Sequence, residues 1–130
     1  MKLYFTLEEL NQRKHPLSEE VLANLQDLIS RLSAFRAAYG SYMVVTSGFR
    51  SEEDQKRIYK DKPRVPLHSA HLVGKAADIA DRDGSLAAFC YANVPLLEKC
   101  GLWLEDPTYT RGWVHFQSIA PASGSRFFRP

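Results

Sequence analysis

Four histidines occur in this sequence, His15, His68, His71 and His115, and two of them stand in segments whose pattern suits a metal ion. In Ser69-Ala70-His71-Leu72-Val73-Gly74-Lys75-Ala76-Ala77-Asp78 an imidazole and a carboxylate lie seven residues apart, with Gly74 between them to let the chain turn. If residues 76–80 form a strand, alternation puts Ala76, Asp78 and Ala80 on one face and Ala77 and Ile79 on the other. The small neighbours of Asp78 leave room for something bulky, such as a metal ion. In a second strand over 113–117, Trp113, His115 and Gln117 share a face while Val114 and Phe116 point into a core. Two imidazoles and one carboxylate would give zinc three protein ligands and leave a fourth position for water. Spacing alone leaves a second reading open, in which the three are unrelated surface residues.

The elements that must position these groups follow from local patterns. Thr6 with Glu9 fits a capping box, so a short helix opens the chain and Pro16 ends it. Ser18 caps a long helix over 19–39, whose Val21, Leu22, Leu25, Leu28, Ile29, Leu32 and Phe35 step by three and four into one buried stripe, with Gly40 as its stop. Residues 42–46 read as a strand that runs into the corner Ser47-Gly48-Phe49-Arg50, and Ser51 with Asp54 caps another helix. Residues 61–70, with Pro63 and Pro66, read as irregular. A strand over 76–80, a helix over 85–92 and strands over 102–105 and 113–117 follow, and the tail from 118 to 130 reads as loop. Helices first and short strands after them predict an α+β fold with a small antiparallel sheet.

Size and composition bound the answer. The 130 residues, 45% hydrophobic and 25% charged, make one domain of ordinary soluble composition: helices over about 6–39, a motif-bearing core over about 40–117 and the tail. Net charge is +2, and the excess reads as spread along the chain, which excludes a purely electrostatic nucleic-acid binder and a polybasic membrane anchor. No apolar run approaches a membrane span, and the N-terminal segment lacks a secretory apolar region, so the chain is expected to be made in the cytoplasm. Cys90 and Cys100 form no CxxC pair and no disulfide framework, and Cys90 reads as a small buried side chain. His15 reads as a surface histidine.

The stretch Ser69–Asp78 resembles the S-x-H-x-x-G-x-A-x-D signature of the zinc D-Ala-D-Ala carboxypeptidase and L-Ala-D-Glu endopeptidase family, peptidase family M15, with Ser69, His71, Gly74, Ala76 and Asp78 at every fixed position. Upstream, Ser47-Gly48-Phe49-Arg50 resembles the family's S-G-[FY]-R corner, and downstream Gly112-Trp113-Val114-His115 resembles its last ligand strand. The resemblance spans about residues 40–117 and implies a Hedgehog/D-Ala-D-Ala peptidase-like fold, with helices on one side of the sheet and the zinc site on its open face. It assigns one zinc per chain to His71, Asp78 and His115, and gives Arg50 the family's arginine role on a substrate carboxylate or a developing oxyanion. A structural salt bridge from Arg50 to Asp78 or to a surface glutamate is the alternative. Ser47, His68, Ser69 and Trp113 fall to substrate contact or to support of the ligands, while Trp103 and Tyr109 carry weaker claims.

One departure concerns the general base. Many relatives carry E-x-x-H, but Gly112 stands where that glutamate would be, as in a branch of the family with a [FW]-V-H ending. Glu105, at the end of the preceding strand, is the first candidate, followed by Asp106 and His68; an exposed loop carboxylate is the bland alternative for Glu105. The resemblance as a whole implies a compact, single-domain zinc peptidase of phage or prophage type, acting on peptidoglycan stem peptides as a carboxypeptidase or endopeptidase; oligomeric state is left open, with a monomer expected. It would reach the wall after release from the cytoplasm, as a lysin does, or as a virion component. A different class of reading is an inactive zinc-containing module that grips the wall or stiffens a virion.

Overall fold

The computed structural model describes all 130 residues. Thr6 and Glu9 close a reciprocal cap around α1 (Leu7–Leu10). At the start of α2 (Glu19–Tyr39) Ser18 Oγ accepts from Val21 N, and Gly40, at φ 77°, stops the helix in the left-handed conformation. The stripe of α2 is buried at Leu25, Leu28, Ile29, Leu32 and Phe35. Ser51 and Asp54 repeat the capping box on α3 (Glu52–Ile58). Ahead of α4 (Ser85–Ala92), the Asp81 carboxylate accepts from the backbone N–H groups of Leu86 and Ala87, both at 2.9 Å.

Five strands form one sheet: β1 (Val45–Ser47), β2 (Ala76–Asp81), β3 (Trp103–Glu105), β4 (Gly112–Gln117) and β5 (Phe127–Phe128), in the order β1-β2-β4-β3-β5. All pairs are antiparallel except β3 with β5. Residues opposite each other share a face. Ala77, Phe116 and Leu104 form one apolar row, and Val45, Ile79 and Val114 a second; all six are buried. Phe35 of α2 packs onto this face, its ring 5.2 Å from that of Phe116. The helices therefore cover one side, and the face bearing Asp78 and His115 is the other. No helix is long and apolar enough to cross a membrane.

Three elements depart from the sequence reading. A helix not anticipated, α5 (Val94–Cys100), follows Asn93, with Pro95 in its first turn and Leu97 buried. Its seven residues are too few to show a period, so packing alone reveals it. The first strand is shorter than 42–46 and shifted to 45–47, because Tyr42 and Val44 face solvent and find no apolar partner. The tail is not all loop: Leu104 N donates to Arg126 O at 2.8 Å and Asp106 N to Phe128 O at 2.7 Å, so β5 closes the edge and makes the sheet mixed there.

Asp54 joins the N-terminal segment to α3. It is 3% exposed, accepts from Ser51 N at 3.1 Å, and pairs with Arg13 and Arg57 at 3.0 Å each and with His15. His15 is thus not the free surface histidine expected: it is half-buried, bonded to Asp54 and edge-on to Phe49. Burial opposes ionisation of Asp54, but the Ser51 N–H, Arg57 and His15 outweigh it and hold the carboxyl well below the usual carboxylate range. A depressed folded-state pKa gives stability that is present above the unfolded value and lost as pH falls towards the folded one. Asp54→Asn should therefore cost about 1–3 kcal/mol at pH 7 in denaturant melts. Its gap to wild type should close as pH drops below about 4. A gap that stays constant with pH would show that these ion pairs contribute nothing.

Candidate metal centre

The residues of interest form one row across the sheet. Ser47 lies opposite Asp78, and Asp78 opposite His115. Continuing the β3–β4 register by one residue sets Glu105 opposite His115, and Glu105 is paired in turn with Phe128 of β5. Ser47 reaches this row through a bulge: Val45 pairs with Ile79 but Ser47 with Asp78, so one extra residue on β1 turns Val45 into the core and Ser47 to the site.

His71 arrives from outside the sheet, on the single 3-10 turn Ala70–Val73. Ser69 Oγ accepts from His71 N at 3.2 Å, and Gly74 ends the turn at φ 77°, where a Cβ would press on Val21 O at 3.0 Å. The ring is held by the corner upstream: His71 Nδ1 lies 2.8 Å from Gly48 O, and Arg50 N donates to His71 O at 3.1 Å. Gly48 must be glycine, because a Cβ there would stand 2.3 Å from Leu10 O.

These bonds fix which nitrogen of each imidazole turns outward. Gly48 O accepts only, so His71 Nδ1 carries a proton, and Nε2 is the nitrogen turned to the cluster. Gln117 Nε2 donates to Ile119 O at 2.7 Å, which turns Gln117 Oε1 towards His115 Nε2 at 2.8 Å. His115 Nε2 is then the outer N–H, and Nδ1 faces the cluster. Both inner nitrogens converge on Asp78 Oδ1, at 3.2 Å from His71 and 3.0 Å from His115. The donor atoms lie within 4.8 Å of one another, and the three residues are 3–8% exposed.

Two lone pairs aimed at a carboxylate oxygen repel unless a cation or proton sits among them. The titration directions agree. Burial disfavours charge on His71 and, despite Asp78, pushes its pKa down. Burial also opposes charge on His115, but the hydrogen bond and charge of Asp78 win and raise it. Asp78 itself, although desolvated, is held far below the usual carboxylate range by the two imidazoles. Two nitrogens and an oxygen, with the far nitrogen of each ring tied to an acceptor, fit a zinc-type ion.

Arg50 is tied into this cluster through three of its N–H groups. Its Nη2 donates to Asp78 Oδ2 at 3.0 Å, Nε to Ser47 Oγ at 2.9 Å and Nη1 to Gln55 Oε1 at 3.2 Å. The salt bridge to Asp78, left open by the sequence, is present. Glu105 is half-buried in the same row. Burial pushes its carboxyl above the usual range and Asp78 adds to this, while His115 and Arg50 pull it back.

The remaining candidates lie at or beyond the rim. His68 is exposed and hydrogen-bonds to nothing, and Trp113 is 37% exposed on the site face. Asp106 is occupied in capping the 3-10 turn Pro107–Tyr109 and accepts from Thr108 and Tyr91. Tyr109 Oη accepts from Arg129, and the Arg126 guanidinium stacks over Trp103. Cys90 is fully buried, its thiol pushed up to about 12. Gln55 and the hydrogen bond that Gln117 accepts from the outer nitrogen of His115 were missed. For Gln117 the two-residue step from His115 was a usable signal; for Gln55 there was none.

Residues 3–96 match the family model described as Peptidase M15. No curated protein sequence matches the chain. Among solved structures, the crystal structure of the L-Ala D-Glu endopeptidase ChiX from Serratia marcescens shares the fold, with a TM-score of 0.57 and 20% identity over 89% of this chain and 99% of that one. The matched segment holds the corner at Arg50, the turn bearing His71 and the strand bearing Asp78, and it covers well over half of the residues. The chain belongs to the Peptidase M15 family.

Proposed function

We propose that this chain is a zinc-dependent peptidase that hydrolyses peptide bonds in the stem peptides of bacterial peptidoglycan. The observation that carries the proposal is the convergence of His71 Nε2, His115 Nδ1 and Asp78 Oδ1, each fixed by its own outer hydrogen bond. Family membership supports peptidase chemistry, and the L-Ala D-Glu endopeptidase of the same fold points to the class of substrate. When bound, zinc supplies Lewis-acid polarisation of a carbonyl and a lowered pKa for water.

The chain's own groups divide the remaining work. Glu105, one strand over from His115, is the proton acceptor: its raised pKa makes the carboxylate a stronger base than an exposed one. This replaces the glutamate that Gly112 lacks. Arg50 spends one N–H on Asp78 Oδ2 and so leaves Oδ1 directed at the two imidazoles. Its first role is to position Asp78, and only its remaining N–H groups are free to meet an oxyanion. Trp113, exposed beside His115, borders the face where substrate would lie.

Purified protein should hold close to one zinc per chain. His71→Ala or His115→Ala should weaken zinc by more than about 100-fold, and Gln117→Leu, which frees the outer nitrogen of His115, by about 10–100-fold. Undiminished zinc content in both histidine variants would end the assignment. Arg50→Ala should weaken zinc through Asp78 as well as slow turnover, and Arg50→Lys should restore little, since an ammonium cannot span Ser47, Gln55 and Asp78 together. Full zinc affinity in Arg50→Ala would remove the positioning role.

Mass spectrometry of defined muropeptides tests hydrolysis and identifies the bond. Glu105→Gln should keep its zinc and lose about 10²–10⁴-fold in rate. In the wild type, kcat/KM should rise with pH as Glu105 loses its proton, with a midpoint above that of an ordinary glutamate because burial raises it. Wild-type turnover by Glu105→Gln would place the base elsewhere. A zinc-loaded wild type that never cleaves would favour the wall-binding module.

A further inference from the structure

The reading of the charge as evenly spread fails for one segment. From 56 to 64, Lys56, Arg57, Lys60, Lys62 and Arg64 stand against Asp61 alone, so nine residues carry +4 on a chain whose total is +2, and the other 121 carry −2. All six charged groups are exposed. Arg57 pairs with Asp54, but Lys56, Lys60, Lys62 and Arg64 have no carboxylate partner.

This arm is held in place. α3 carries its first residues, Lys62 N donates to Tyr59 O at 3.0 Å, and Gln55 Nε2 donates to Pro66 O at 2.8 Å, which closes the loop. Gln55 is fully buried, and its Oε1 accepts from Arg50, whose Nη2 bonds Asp78. Two side chains therefore link the base of the arm to the metal cluster, and His68, Ser69 and His71 follow directly in the chain. Pro63 and Pro66 narrow the backbone freedom of the loop. Isolated surface lysines are common, but four unpaired cations on one anchored arm, three of them on its loop, on an otherwise slightly acidic molecule, make a local positive field beside the site.

We infer that the arm over 56–64 docks the polymer on which the site acts, by pairing with free carboxylates of peptidoglycan stem peptides; this rests on the function proposed above. Stem peptides repeat their carboxylates along a polymer, so several weak pairs form at once while one peptide enters the site. Each pair is exposed and screened, so binding must fall with salt. Ile58 and Leu67 are the only exposed large apolar side chains in or next to the arm, too little for a lipid-inserting face.

The test compares the wild type with the triple variant K60Q/K62Q/R64Q, by cosedimentation with purified sacculi stripped of phosphate polymers by hydrofluoric acid. Parallel arms use sacculi whose carboxyls have been amidated, unstripped sacculi, and phosphatidylglycerol vesicles. Melting midpoint and zinc content, which exposed substitutions should leave in place, report that the variant is folded. The triple variant should bind stripped sacculi about 10–100-fold more weakly, at about two- to fivefold per charge. Wild-type binding should drop between about 50 and 300 mM NaCl and on amidated sacculi. Equal binding by the folded variant would overturn the inference. So would wild-type binding that survives amidation, needs the phosphate polymers, or goes to vesicles and not to sacculi. A wild type that binds through the arm but never cleaves muropeptides would overturn the proposed hydrolysis and leave the docking surface standing. Cleavage of muropeptides with arm-independent binding to sacculi would do the reverse.

Discussion

One carboxylate is shared by three cationic or cation-seeking neighbours, and the rest of the site is arranged around that sharing. Asp78 Oδ2 takes a charge-assisted bond from Arg50, while Oδ1 faces the inner nitrogens of His71 and His115. A carboxylate this buried is expensive to ionise unless every lone pair is used. Arg50 meets that need on one side permanently, since its guanidinium does not lose its proton. The other side is left to whatever the imidazoles admit, a proton or a metal ion. The guanidinium can hold its position only because Ser47 and Gln55 take two more of its N–H groups.

That arrangement depends on backbone features well away from the cluster. The bulge in β1 rotates Ser47 into the row, and without it the side chain would follow Val45 into the core. Gly48 lets the corner press against the end of α1, where Phe49 N donates to Leu10 O at 2.8 Å, and frees its own carbonyl for His71. The short helix α1 is thus part of the support for His71, sixty residues further on. Gly74 serves the same end from the other direction by letting the turn that carries His71 settle against α2. The placement of His71 rests on close backbone approach, that of Asp78 and His115 on side-chain contacts.

The absence of E-x-x-H has a simple geometric answer in the proposed mechanism. A base need not be on the ligand strand if a neighbouring strand carries a carboxylate in the same row, since adjacent strands lie about 4.8 Å apart. Glu105 meets that condition, and β5 covers its outer side with Phe128, whose ring stands edge-on to His115 at 6.0 Å. The two-residue strand in the tail therefore flanks the carboxylate, whose burial raises its pKa. Asp106, the next carboxylate, is already committed to Thr108 and Tyr91 and is held low instead.

Local rules made much of this protein legible without coordinates. Caps at Thr6, Ser18 and Ser51 and the three-four spacing of α2 act within a few residues, so they mark helices directly. Alternation in β2 and β4 likewise put Asp78, His115 and Gln117 on one face and Ile79, Val114 and Phe116 on the other. What alternation cannot supply is register, because nothing within a strand says which residue of another strand lies opposite. The alignment of Glu105 with His115, the parallel pairing of β5 and the turn of Ser47 into the site came from tertiary structure alone. So did the partners of Arg50 and His15, since a long or ring-bearing polar side chain takes whichever acceptor the fold brings within reach. The residue types of the cluster were written in the sequence, and which ring nitrogen of each histidine turns outward was decided by the carbonyls of Gly48 and, through Gln117, Ile119, whose directions only the fold sets.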